Sequence, residues 1–185
     1  MDIDFDELTD YAKKFTGLTD EKEACLQEFS SEITPRLPEI TDAFYQQLTK
    51  IPNTAVFLEN RLELLKATHL KWLQSLFTGP YDKDFTKLMY KVGDVHVKVN
   101  LPVEFMAGGM TLINNQLIAN IVDICADDRE KCKKLLTAVS AVTGFSLLIM
   151  QQSYQASTLV EELEKFLKIS GMSRTLFTNL AEAYE

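Results

Sequence analysis

The stretch that decides the fold is His96-Val97-Lys98-Val99-Asn100-Leu101-Pro102-Val103-Glu104-Phe105-Met106. Proline fits the first turn of a helix but not its interior, so Pro102 separates two helices instead of lying inside one. The sequence therefore predicts a helix over about 82–95, capped by an aspartate, and a second helix over about 101–125. A histidine lies at their junction, in apolar surroundings.

The rest of the chain also shows helical patterns. Its five prolines and seven glycines fall in clumps that mark boundaries. One helix face, apolar except for a histidine, recurs at alternating steps of four and three in Leu58, Leu62, Leu65, His69, Trp72 and Leu76. We predict an all-α fold, with further helices over about 4–16, from about 19, over about 37–50, over about 58–77 and from about 129 past 167.

Composition narrows the classes of function. The 185 residues carry 19 Lys and Arg against 27 Asp and Glu, a net charge of −8, and no basic cluster is denser than residues 131–134. Nucleic-acid binding is therefore not expected. Cys25, Cys125 and Cys132 lack a C-x-x-C spacing, and the acidic residues 1–7 do not resemble a secretory signal. We expect a single domain in the cytoplasm.

One segment, Leu135 to Met150, is almost continuously apolar. It is shorter than the roughly 20 residues that a bilayer requires, and several Ser, Thr and Gly residues interrupt it. We expect a helix buried in the core or in a subunit interface, with no membrane as partner.

The two histidines, His69 and His96, offer little to an enzyme or a zinc site. No G-x-S-x-G elbow is present, and neither histidine is followed three or four residues later by His, Cys, Asp or Glu. Gly108-Gly109 lies in a helical pattern, not after a strand, so it predicts no nucleotide loop. We expect that this chain is not itself an enzyme.

A haem site remains open. Haem requires an apolar slot between helices, an imidazole for the iron and, where a gas is held, a polar group on the far side. Such walls and hydroxyls are available on two predicted helices, in Leu64, Leu65, Thr68 and Trp72 on one and Phe44 and Tyr45 on the other. A histidine in this setting is otherwise a packed or surface residue.

The run 96–106, preceded by Leu76-Phe77-Thr78-Gly79-Pro80-Tyr81-Asp82 and by Phe44-Tyr45, resembles the sensor domain of globin-coupled sensors. The resemblance covers nearly the whole chain, to about Leu167. It implies a globin-like fold with an additional amino-terminal helix, a short or absent D helix and a long final helix. On this basis residues 1–168 form the sensor domain, and residues 169–185 begin a helical connector to an output domain.

The resemblance also implies a cofactor, haem b, with His96 as the proximal iron ligand. Tyr45 matches a tyrosine of the family whose hydroxyl can donate to bound oxygen, and Thr68 falls on or near a polar distal position. Phe105 and Met106 match the pair that follows the proline, although some members have an aromatic hydroxyl where Met106 stands. The implied haem contacts are His96, Phe44, Tyr45, Leu65, Thr68, Trp72, Val92, Val99, Phe105 and Met106.

Several of these residues have alternatives. His69 is either a satisfied core histidine or a second iron ligand, Thr68 can bond back to its own helix, and Tyr45 can be an aromatic wedge with its hydroxyl at the surface. The haem propionates need cations or solvent, for which Lys91, Lys98 and Arg61 are candidates.

The two long predicted helices, over about 101–125 and from about 129, indicate how the chain could self-associate and pass on a signal. The segment 101–125 contains the small residues Ala107, Gly108 and Gly109, and in the family this helix and the final one form a homodimer interface. The alternative is that both helices bury each other within one subunit. We expect a haem-based oxygen sensor that signals to an output module in the same polypeptide, such as a diguanylate cyclase. The rivals are a haemless globin-like interaction domain and a free-standing oxygen-binding globin.

Overall fold

The computed structural model describes residues 3–183. Within them the regular structure is helical and contains no strand, so the predicted all-α class is confirmed. The α-helices are α1 (Phe5–Thr16), α2 (Asp20–Ile33), α3 (Leu37–Thr49), α4 (Pro52–Ala55), α5 (Leu62–Thr78), α6 (Lys83–Lys98), α7 (Val103–Cys125), α8 (Arg129–Ser170) and α9 (Arg174–Glu182), with a 3-10 turn at Thr34–Arg36.

Local chemistry explains most helix starts. Asp4, Thr19, Asp82 and Asp128 precede α1, α2, α6 and α8, and each side chain accepts a backbone N–H of the first turn. These caps satisfy donors that a helix start otherwise leaves without partners. Pro102 immediately precedes α7, as the sequence predicted.

The start of α5 differs from the prediction. The helix begins at Leu62 and not near Leu58, because Asn60 adopts a left-handed backbone conformation with φ of 58° that interrupts helical geometry. Leu58 is still buried, so the apolar pattern continues through a non-helical turn. The short α4 lies just before this turn.

The centre of the molecule is α8, which packs against α1, α2, α6 and α7. By length and composition α8 could cross a membrane, but 56% of its most apolar window is buried within the protein. Ala138, Val142, Phe145 and Ile149 are fully buried. The stretch 135–150 therefore lies in a core helix, as predicted, but it is not buried on all sides, because Thr137 and Ser140 are exposed.

Candidate functional site

An aromatic cluster surrounds His69, where α5 packs on α3. The imidazole stacks on the Phe44 ring, with centroids 4.7 Å apart and planes 15° apart. The Tyr45 ring meets it edge-on at 5.6 Å, and the Trp72 ring lies 5.3 Å away. Three aromatic rings thus enclose one imidazole.

Neither nitrogen of His69 has a hydrogen-bond partner in the described part of the chain, and both are buried. Burial lowers the pKa of His69 to about 4, so the imidazole is neutral at physiological pH. A buried polar group without a partner is costly. His69 is therefore packed like a core residue, but its nitrogens lack the hydrogen bonds that a satisfied core histidine makes.

The Tyr45 side chain is also buried, with 6% of the residue exposed. Burial raises the pKa of its phenol to about 12. The hydroxyl therefore stays protonated at neutral pH and can act as a hydrogen-bond donor.

Thr68 is placed differently from its neighbour His69. Its side chain is exposed, and its hydroxyl donates to the Leu64 carbonyl oxygen at 2.9 Å within α5. Consecutive residues of a helix point about 100° apart, so α5 turns His69 towards the cluster and Thr68 towards solvent. The structure does not bring Thr68 and Tyr45 together.

The second histidine, His96, lies in the last turn of α6. It is half-buried, its Nδ1 is buried without a partner, and burial lowers its pKa. Met89, Val92 and His96 follow one another at helical spacing along one stripe of α6. The Trp72 indole N–H donates to the Met89 sulfur at 3.2 Å, so the stripes of α5 and α6 that carry the histidines meet there.

The remaining predicted residues lie on the surrounding elements. Phe105 is half-buried and packs edge-on against Phe57, with ring centroids 5.9 Å apart. Met106 is buried in α7, and a Cβ at Gly109 on the same helix would lie 3.6 Å from the Phe44 ring. Leu65, Val92 and Val99 are half-buried.

Sequence reasoning missed a polar contact between α6 and α8. The Asp94 carboxylate accepts hydrogen bonds from the hydroxyls of Ser153 and Ser157, each at 2.6 Å. Tyr154, between them, donates to the Leu101 carbonyl oxygen at 2.9 Å. The available sequence signal was weak, because only the four-residue spacing of two serines on an apolar helix marks the contact.

The donor set fits haem better than a bare metal ion. Within residues 3–183 no group of three or more His, Cys, Asp or Glu is placed to hold an ion. A porphyrin supplies most of the ligands of its iron, so one or two imidazoles would be enough to hold it. Neutral imidazoles are suited to that task, and here both nitrogens of His69 and the Nδ1 of His96 are buried without a partner among the described residues.

Comparison with known proteins gives an independent result. The family model described as Protoglobin matches residues 5–159. The solved globin domain of a Geobacter sulfurreducens globin-coupled sensor is 31% identical, with a TM-score of 0.74 over 78% of this chain and 96% of that one. The globin domain of E. coli DosC, in its ferric form, is 16% identical, with a TM-score of 0.65 over 79% of this chain and 99% of that one, and shares the fold.

Proposed function

This chain belongs to the Protoglobin family, as the globin domain of a globin-coupled sensor, and from that premise we propose that it binds haem b and senses oxygen. The family implies haem-based gas sensing, and the predicted globin-like fold is confirmed by the same matches. The observation that carries the proposal is that both nitrogens of His69 and the Nδ1 of His96 are buried without a partner among the described residues, on helices that the Trp72–Met89 hydrogen bond joins.

We propose His96 as the proximal ligand. It lies in the last turn of α6, burial lowers its pKa and so favours the neutral imidazole, and a metal binds a neutral imidazole nitrogen. Haem iron held by one histidine supplies an open coordination position to a diatomic gas. The half-buried or buried residues Phe44, Leu65, Trp72, Val92, Val99, Phe105 and Met106 would form the apolar walls.

Tyr45 and His69 are the main candidates for the side of the haem on which a gas would bind. The Tyr45 hydroxyl is a protonated donor that can stabilise the partial negative charge of oxygen, a contribution of about 1 to 3 kcal/mol in a dry site. His69 lies against the same ring and is a candidate second iron ligand. Thr68 stays a weaker candidate, because its hydroxyl must first leave the Leu64 carbonyl.

The haem propionates would need cations or solvent. Arg61, just before α5, and Lys91 and Lys98 on α6 are exposed, and a surface cation can pair with a carboxylate without the cost of burying either charge. These three residues are the proposed partners.

The test is an absorption spectrum of the purified chain, reduced and then exposed to oxygen. We expect a Soret band that His96→Ala removes, and faster oxygen release in Tyr45→Phe. The exposed Tyr11 provides the matched control, Tyr11→Phe, which should release oxygen as the wild type does. Thr68→Val is compared with Thr78→Val, since both threonines are exposed on α5 and bond back to their own helix.

Other outcomes separate the alternatives. A colourless protein that haem does not reconstitute would support the haemless interaction domain. A six-coordinate ferrous spectrum that His69→Ala abolishes would identify His69 as the second ligand. Oxygen binding in a protein that stays monomeric, with rapid turnover by a reductase, would support a free-standing oxygen-binding globin.

We propose a homodimer through α7 and α8, because α7 keeps an apolar face in solvent. Ala107 and Gly108 are exposed on it, and Ile118 and Val122 expose 45% and 47% of their surface. Small residues allow another helix to approach closely, and exposed apolar surface favours association. The two helices also pack on each other within the subunit, so burial within one subunit and a dimer interface are compatible.

Sedimentation equilibrium tests the dimer. Ile118→Lys should shift the chain towards monomer, whereas Leu88→Lys, on α6 with 49% exposure, should leave it dimeric. Equal loss of association in both variants, or none in either, would contradict an α7 interface.

We also propose a cytoplasmic location and an output module in the same polypeptide, a diguanylate cyclase or another signalling enzyme. The three cysteines are free thiols, as a reducing compartment favours. The family match ends at residue 159, while α8 continues to Ser170 and α9 follows after Gly171. Residues 169–185 are the proposed start of the connector.

A further inference from the structure

Beside His96, α8 holds α6 by a charged contact. The Asp94 Oδ1 accepts hydrogen bonds from both Ser153 and Ser157, at 2.6 Å each. The serines lie one helical turn apart, so their hydroxyls reach the same oxygen from one face of α8. Short hydrogen bonds to an ionised acceptor are about twice as strong as neutral ones.

The backbones of α6 and α8 approach each other one residue earlier. A Cβ at Gly93 would lie 2.4 Å from the Met150 carbonyl oxygen and 2.8 Å from the Ser153 Cβ. Only glycine allows this approach, so the two helices cannot rotate against each other here without losing the contact.

The same turn of α8 holds the chain on the other side of His96. Tyr154 donates to the Leu101 carbonyl oxygen in the loop between α6 and α7. His96 therefore lies between two residues, Asp94 and Leu101, that are bound to the segment 153–157. Beyond this segment α8 continues to Ser170 with mostly exposed side chains.

We propose that the turn Ser153–Ser157 of α8 senses the position of His96, with Asp94 as the positioning residue that couples them. The inference rests on the proposed function, since it requires His96 to shift when a gas binds. Because Asp94 and His96 share α6, a shift of one carries the other. The serine hydroxyls then pass the movement to the distal part of α8, residues 158–170, and so bias which arrangement that part adopts.

Backbone hydrogen exchange of the haem-loaded chain tests the coupling, in the ferrous state with and without carbon monoxide. In the wild type we expect exchange over residues 158–170 to differ at least about twofold between the two states. Asp94→Asn and the milder Ser157→Ala should remove most of that difference while the Soret band and carbon monoxide binding persist.

Matched variants separate coupling from mere packing. Ser140→Ala changes an exposed serine of α8 with no contact to Asp94, and should behave as the wild type. Ser157→Thr keeps the hydroxyl and should restore the ligand-dependent difference. The iron–histidine stretching frequency should shift in Asp94→Asn and stay unchanged in Ser140→Ala. If Asp94 only stabilised the fold, this frequency would not shift in Asp94→Asn.

The outcomes for the two proposals are distinct. If the wild type binds haem and carbon monoxide but exchange over 158–170 is unchanged, or if Asp94→Asn keeps the full difference, the coupling is overturned and the haem site stands. If the wild type forms no Soret band, the proposed function has failed, and the coupling fails with it.

Discussion

The α6–α8 contact, which is half-buried, and the α3–α5 cluster, which surrounds a buried imidazole, differ in how their polar groups are paired. In the first, the Asp94 carboxylate and the Tyr154 hydroxyl each have a partner. In the second, both nitrogens of His69 have none among the described residues. The helices of each pair are packed at close range.

The two regions therefore differ in whether their polar groups are satisfied by the protein itself. A buried group without a partner costs about 1 to 3 kcal/mol, so an element that serves packing alone is better served by an apolar side chain. The α6–α8 contact is complete by itself. In the His69 cluster the protein leaves two buried nitrogens without a partner among the described residues, which under the proposed function leaves them open to a bound group.

The largest expected effect concerns the close approach of α6 and α8 at Gly93. Gly93→Ala places a methyl group against the Met150 carbonyl, a backbone atom that cannot move aside cheaply. We expect a loss of about 3 kcal/mol in the free energy of unfolding, measured by urea denaturation of the haem-free protein.

Gly108→Ala is its control. Nothing lies within 4 Å of a Cβ at this position in α7, so alanine should stabilise the helix by about 0.5 to 1 kcal/mol. A similar loss in both variants would show that the α6–α8 approach is not especially tight.

The next effect concerns pH and the His69 cluster. As pH falls below 6.5 the unfolded chain protonates this imidazole, whereas the native haem-free chain does not until about pH 4, because burial lowers the His69 pKa. Because the unfolded state binds more protons over this range, the free energy of unfolding decreases by on the order of 3 kcal/mol as the pH is lowered from 7 to 4. Urea titrations across this range, compared with those of His69→Leu, isolate the contribution. Equal pH slopes in both proteins would contradict it.

A smaller effect follows from replacing the unpartnered group at constant pH. His69→Leu keeps an apolar side chain of similar size in the cluster and should stabilise the haem-free protein at pH 7 by about 1 kcal/mol. The thermal midpoint measures it. Destabilisation would mean that ring stacking on Phe44 outweighs the cost of the buried nitrogens.

The smallest effect tests one hydrogen bond of the satisfied region. Tyr154→Phe leaves the Leu101 carbonyl without its donor and should cost about 1 kcal/mol. The exposed Tyr11 serves as reference, and Tyr11→Phe should change stability by less than about 0.5 kcal/mol. No difference between the two variants would remove Tyr154 from the contact.

Much of the fold was predictable because helix boundaries depend on nearby residues. Caps at Thr19 and Asp82 and the proline before α7 gave starts that the structure confirms. The start of α5 was predicted wrongly, since the apolar period through Leu58 continues where Asn60 has turned out of the helix. The spacing of apolar residues indicates which of them are buried, and a buried residue need not lie in a helix.

The candidate site was predictable only in part. Tyr45 and His96 are buried or half-buried on helices as expected, and their proposed roles await the spectra. Thr68 and His69 are adjacent in sequence, and which of them contacts α3 depends on how α5 is turned: His69 stacks on Phe44, whereas the Thr68 hydroxyl bonds back to Leu64.

By itself the sequence determined the helical class, most of the helix limits and the two histidines as the residues of interest, because capping, proline placement and periodicity act over a few neighbours. Only the tertiary structure decided that His69 and not Thr68 enters the aromatic cluster, and that Asp94 meets two serines of α8. The reason is physical: these contacts join residues far apart in the chain, and their geometry is set by how whole helices pack.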